Sequence, residues 1–151
     1  MRDYLPELAA VPRITVRHLL NQTSGIADSA VPSLNDPRQD LAQRVASLRD
    51  LRLVSEPGRE FHYCDVNYQV LARLVEVVSG RPWADQLAER VFGPLGTTGT
   101  VAGATPAQAA APPGHILLFG VPIARPELDG LLAGSGGVVS TARDMGRWLA
   151  A

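Results

Sequence analysis

With 151 residues, 46% hydrophobic and 19% charged side chains, the chain has the size and apolar content of one domain, which excludes disorder by composition. Its net charge of −1, with acids and bases interspersed, offers no basic stripe for nucleic acid or an anionic membrane. All 14 basic residues are arginine, which excludes lysine chemistry within these residues, and the single Cys64 excludes an internal disulfide.

Residues 1–12 read as a loop pinned at Leu5-Pro6-Glu7, without an apolar signal-peptide core. Thr15 is placed to cap a short helix through Val16, His18, Leu19 and Leu20, which the turn Thr23-Ser24-Gly25 stops. Residues 28–35 are polar and contain Pro32, a surface loop. Asp36-Pro37 then has the pattern of an N-cap followed by an N1 proline. Leu41, Val45 and Leu48 give that helix one buried face, and Leu53-Val54 suggests a brief extended piece before the Pro57-Gly58 turn.

A third helix follows residues 61–68. Val70, Leu71, Leu74, Val75 and Val78 line one of its faces, Asp65 is expected as its N-cap, and Gly80 with Pro82 ends it. Pro82 opens a further helix with Trp83, Leu87 and Val91 on one side, ending at Phe92-Gly93-Pro94-Leu95-Gly96. Residues 99–113 read as a long connection, 114–118 as a strand and 121–130 as irregular. The apolar run at 116–124 is too short, and broken by Pro122, to span a bilayer. Gly134-Ser135-Gly136-Gly137 fits a tight turn. Thr141-Ala142-Arg143-Asp144 resembles a capping box opening a last helix whose apolar face is Met145, Trp148 and Leu149.

Chemistry concentrates at Phe61-His62-Tyr63-Cys64-Asp65. Tyr63 precedes a helix start, where a phenol can face a cleft; from spacing alone, packing by Tyr63 with capping by Asp65 is the favoured explanation of the pair. His62 and Cys64 alternate on an extended stretch, but no third ligand accompanies them, so the expectation is packing and no metal.

Four segments in order resemble the serine beta-lactamase-like superfamily, which includes class C beta-lactamases, D-Ala-D-Ala carboxypeptidases and related esterases. They are residues 14–25, Glu56-Pro57-Gly58 with Phe61, Tyr63, Asn67 and Tyr68, residues 92–96, and residues 136–145. The resemblance implies one partial domain over 1–151, mainly α as it stands, a fragment of the α/β two-layer beta-lactamase and penicillin-binding-protein transpeptidase-like fold. It implies an acyl-enzyme mechanism on amide or ester bonds, a small-molecule or peptidoglycan-like substrate, and no cofactor. Tyr63 corresponds to the tyrosine that helps shuttle the nucleophile's proton. Asp65 stands where Tyr-x-Asn has asparagine, a substrate-binding position; an ionised carboxylate there can only accept hydrogen bonds, which weighs against a true beta-lactamase.

The family's Ser-x-x-Lys is absent, since the chain has no lysine, and no Lys-Thr-Gly-type motif follows. The chain is therefore expected to be inactive alone, as the middle of such an enzyme. The alternative is a non-catalytic binding module retaining one cleft wall. The compartment is left open; intact relatives are often extracytoplasmic.

Overall fold

The computed structural model describes residues 1, 3–11, 13–27, 39–103, 112, 114–124 and 133–151. Their centre is α3, Asp65–Ser79, which packs against α1 (Val16–Leu20) and α2 (Leu41–Ala46). Leu19, Val45, Leu48, Val66 and Val70 meet there with Leu5, Leu8 and Ile14, all essentially removed from solvent. Each such side chain contributes about 1.5–3 kcal/mol relative to exposure, so this cluster is the main source of cohesion.

Local chemistry sets the boundaries. Thr15 accepts from the His18 N–H at 3.2 Å, the expected cap of α1. The described part of the second helix begins later than Asp36-Pro37: Asp40 and Gln43 form a reciprocal capping box before Leu41. The Asp36-Pro37 start and the 28–35 loop lie outside the described residues. Residues Leu41, Val45 and Leu48 are buried as the periodicity requires. The amino-terminal segment is more ordered than a loop, with a 3₁₀ turn at Pro6–Leu8 that anchors Leu5 and Leu8 in the core.

Gly80 closes α3 in the left-handed conformation. The next helical run starts at α4 (Trp83–Leu87), widens into a π-helical turn over Ala88–Phe92, and ends with α5 (Gly93–Leu95) before left-handed Gly96. Val70 is buried and Leu71 and Leu74 half-buried, but Val75 and Val78 are exposed. Periodicity shows which residues share a face; it does not show whether another layer covers the end of that face.

The strands correct two expectations. Val101–Ala102 (β1), inside the expected connection, pairs antiparallel with Val138–Val139 (β4). Val121–Ala124 (β3), expected as irregular, pairs with His115–Leu118 (β2) around Phe119-Gly120, both with positive φ, as a two-residue hairpin turn requires. Pro122 fits because it sits on a two-stranded ribbon with open edges among the described residues. Of the rest of the 99–113 and 121–130 segments, residues 99, 100, 103 and 112 are described and the others lie outside the described residues.

The last helix, α6 (Ala142–Leu149), turns out differently from its apolar pattern. Met145, Trp148 and Leu149 are exposed, and Asp144 is its buried residue. Thr141 caps the Asp144 N–H, but the Asp144 carboxylate does not complete the box. It accepts instead from the Gly99 N–H at 2.8 Å and the Thr100 hydroxyl at 3.0 Å, tying α6 to the chain before β1. Replacing a buried acceptor strands its donors, so Asp144→Ala should lower unfolding free energy by about 2–3 kcal/mol. A urea midpoint unchanged from wild type would show that these bonds contribute nothing net.

Candidate active site

The tyrosine segment runs extended into α3. Cys64, not Asp65, holds the N-cap position, in β conformation and without a side-chain capping bond. Asp65 is already the first helical residue. Its carboxylate does not turn back onto the helix; it accepts from the Tyr63 hydroxyl at 3.1 Å. Tyr63 is 67% exposed, so its ring is displayed at the end of α3 and does not pack into the core. Two residues apart in sequence, phenol and carboxylate thus form one polar unit at a helix N-terminus.

What holds that unit is a buried polar network that crosses from the segment after α1. The Gln22 carbonyl accepts from the His62 N–H at 2.9 Å, and its side-chain oxygen accepts from the Cys64 N–H at 3.1 Å. The same oxygen takes a hydrogen bond from the Asn67 amide, whose own oxygen accepts from the Ser24 hydroxyl at 2.6 Å. Ser24 in turn accepts from the Ile26 N–H at 3.1 Å. Gln22, Ser24 and Asn67 are all at least nine-tenths buried. Buried polar groups that are mutually satisfied rigidify a structure, whereas each one left unpaired is costly.

The backbone is matched on either side. Thr23 and Gly25 carbonyls accept from the Gly58 and Val54 N–H groups at 2.7 and 2.9 Å. Gly25 has φ +79°, and a Cβ on it would lie 2.1 Å from the Ser55 carbonyl oxygen, so only glycine lets the two segments approach this closely. Gly134 does the same against α3: a Cβ there would lie 2.4 Å from that of Ala72. Gly134 therefore brings its backbone against α3 at Tyr68 and Ala72, beyond simply permitting a turn.

Of the other candidates, His62 places its ring on Glu60 at 3.1 Å, and Cys64 is fully buried. The His18 ring lies under Gly58, at the edge of the core. Among the described residues no group of three His, Cys, Asp or Glu side chains could hold a metal ion, and no described helix is long and apolar enough to cross a membrane. The sequence motifs contained Gln22, Ser24 and Asn67 but assigned them no role. One signal was visible: Asn67, with Gln69, is a polar interruption among the apolar residues Val66, Val70 and Ala72 that α3 buries.

Helices flanking a displayed tyrosine, held by a Thr-Ser-Gly turn, are an arrangement shared with the penicillin-binding-protein and beta-lactamase fold. The chain belongs to the Beta-lactamase family, whose model matches residues 1–151. It is 36% identical over 99 residues to penicillin-binding protein 4 of Amycolatopsis lactamdurans, covering 62% of this chain and 26% of that protein. A D-aminopeptidase of Brucella anthropi is 39% identical over 90 residues, 56% of this chain and 17% of that protein. The structure matches a penicillin binding protein from Bacillus halodurans with TM-score 0.76 and 29% identity, over 93% of this chain and 46% of that one. A D-amino acid amidase from Ochrobactrum anthropi SV3, complexed with L-phenylalanine, matches with TM-score 0.76 and 26% identity, over 98% and 44%. The chain spans less than half the length of each of these four proteins.

Proposed function

We propose that these residues supply the tyrosine wall of a hydrolase that cleaves amide bonds of amino-acid derivatives, D-amino-acid amides or peptides in particular, through an acyl-enzyme. The observation that carries this reading is the Tyr63–Asp65 pair, displayed on a segment that a buried network holds in place. Tyr63 relays a proton between the attacking serine and the leaving amine; serine and its lysine belong to a Ser-x-x-Lys segment outside these 151 residues. The phenol donates its hydrogen to Asp65, which orients the hydroxyl at the end of α3.

Asp65 sets the substrate class. A full carboxylate charge outweighs the roughly half positive charge of the α3 N-terminus, so the local field stays negative. That field suits a substrate with a free α-ammonium group, as an aminopeptidase substrate has, over an N-acylated one such as a penicillin. Similarity to a D-aminopeptidase and a D-amino acid amidase supports the same class.

The test compares D-phenylalanine amide with N-acetyl-D-phenylalanine amide in a chain joining residues 1–151 to Ser-x-x-Lys and late-strand segments. Asp65→Asn should reduce the preference in kcat/KM for the free amine by about 10–100-fold, the worth of a charged hydrogen bond. An unchanged ratio would remove Asp65 from substrate recognition.

The lack of lysine favours a second reading, a binding module that keeps the cleft wall without catalysis. Ammonium-dependent binding without turnover, in a natural chain whose flanking coding sequence has no Ser-x-x-Lys, would select it.

A further inference from the structure

We infer that Gln22 is the positioning residue for Tyr63, acting as a clamp that grips the chain on both sides of the phenol. The inference rests on Tyr63 being the proton-handling group, and it names the device that fixes where that group sits.

Three observations converge. First, the N–H groups immediately before and after Tyr63, those of His62 and Cys64, both bond to Gln22, one to its carbonyl and one to its side chain. Second, Gln22 has φ +58°, one of two non-glycine residues with positive φ among the described residues, the other being Phe119 in the hairpin turn. Such strain persists only where the surroundings over-determine it, and it clusters at functional sites. Third, the side-chain oxygen does double duty, because Asn67, inside α3, donates to it as well. The clamp therefore fixes Tyr63 relative to the helix that carries Asp65, and not only relative to α1.

A residue needed only for folding would not have to bridge these particular amides. Gln22 sits at the end of a turn whose neighbours, Thr23 and Gly25, already bond the tyrosine segment upstream at Gly58 and Val54. Those bonds hold the two segments together. The Gln22 bonds add control over the backbone orientation at residue 63, and hence over the distance between the phenol and Asp65.

The experiment uses the 151-residue chain with tyrosine labelled by ¹³C at Cζ, the three signals being assigned with Tyr→Phe variants. In the unmodified chain the Tyr63 signal should differ from that of free tyrosine, reporting its bond to Asp65. Gln22→Ala should move it to the free value, and so should Gln22→Asn, which tolerates positive φ but is too short to reach the Cys64 N–H. Gln22→Glu, which keeps both accepting roles, should restore it. A Tyr63 signal unmoved in Gln22→Ala or Gln22→Asn would overturn the inference.

Hydrogen exchange on the unmodified chain guards against variants that fail to fold. The Cys64 and His62 amides should exchange at least about tenfold more slowly than the exposed Phe61 amide; equal rates would equally overturn the clamp. The readouts also separate the two levels of the argument. A Tyr63 signal that depends on Gln22, combined with wild-type turnover for Tyr63→Phe in an active chain, would keep the clamp and discard the catalytic role of the phenol.

Discussion

Incubated with a fluorescent penicillin, D-phenylalanine amide or a short-chain nitrophenyl ester, the 151-residue chain is expected to stay unlabelled and to leave each substrate at its background rate. The acyl-enzyme route of this family needs a serine activated by lysine, and the chain contains no lysine. Asp65 cannot take the lysine's place, since it carries the opposite charge and already accepts from Tyr63. Cys64, the strongest intrinsic nucleophile present, is fully buried and out of a ligand's reach. In a serine protease, loss of the nucleophile alone lowers kcat by on the order of 10⁶-fold, and here the base is missing as well. Intact mass spectrometry after overnight incubation should show one unmodified species. A stoichiometric acyl adduct, or turnover abolished by Cys64→Ala, would mean that a nucleophile within these residues does the chemistry.

Much of the helical frame was legible because single residues carried the physics. Thr15, Gly80 and Gly96 each satisfy a terminus in the way their side chain, or lack of one, dictates, and all three caps are where the sequence places them. The errors have a common form. Local spacing assigns the Asp65 carboxylate to the nearest orphan amide, and that of Asp144 to a capping box. In the structure the first bonds a phenol two residues back and the second bonds Gly99 and Thr100, more than 40 residues away. A carboxylate that can reach several donors is not fixed by local spacing. The exposed apolar faces of α6 and the β2–β3 hairpin show the same limit, since a pattern of apolar residues specifies a face and not its cover.

The site divides similarly. Tyr63 and Asp65 stand out because they occupy the positions of a family Tyr-x-Asn motif, with Asp65 replacing its asparagine, and the structure brings the two together. The network beneath them did not stand out as a unit. Gln22, Ser24 and Asn67 are polar residues of ordinary type, and their meeting depends on a turn after α1 packing under a helix that starts over 40 residues later. Glycine was the readable clue to that approach. By its place after Thr23-Ser24, Gly25 reads as a turn former; its more demanding job is to leave room for the Ser55 carbonyl.

The central claim is that the Tyr63 hydroxyl moves a proton during catalysis. Its test is the kcat of Tyr63→Phe in a chain that joins residues 1–151 to the Ser-x-x-Lys and late-strand segments. The substitution removes one oxygen from a ring that is 67% exposed, so the core is untouched and the melting temperature should hold. Positioned general acid–base groups contribute about 10²–10⁴-fold, and kcat should fall within that range. The loss should be smaller for an activated ester, whose leaving group needs no proton, than for D-phenylalanine amide, whose departing amine does. That contrast separates proton transfer from simple loss of a substrate contact, which would affect both alike. A kcat for D-phenylalanine amide within twofold of the parent, at an unchanged melting temperature, would contradict the account.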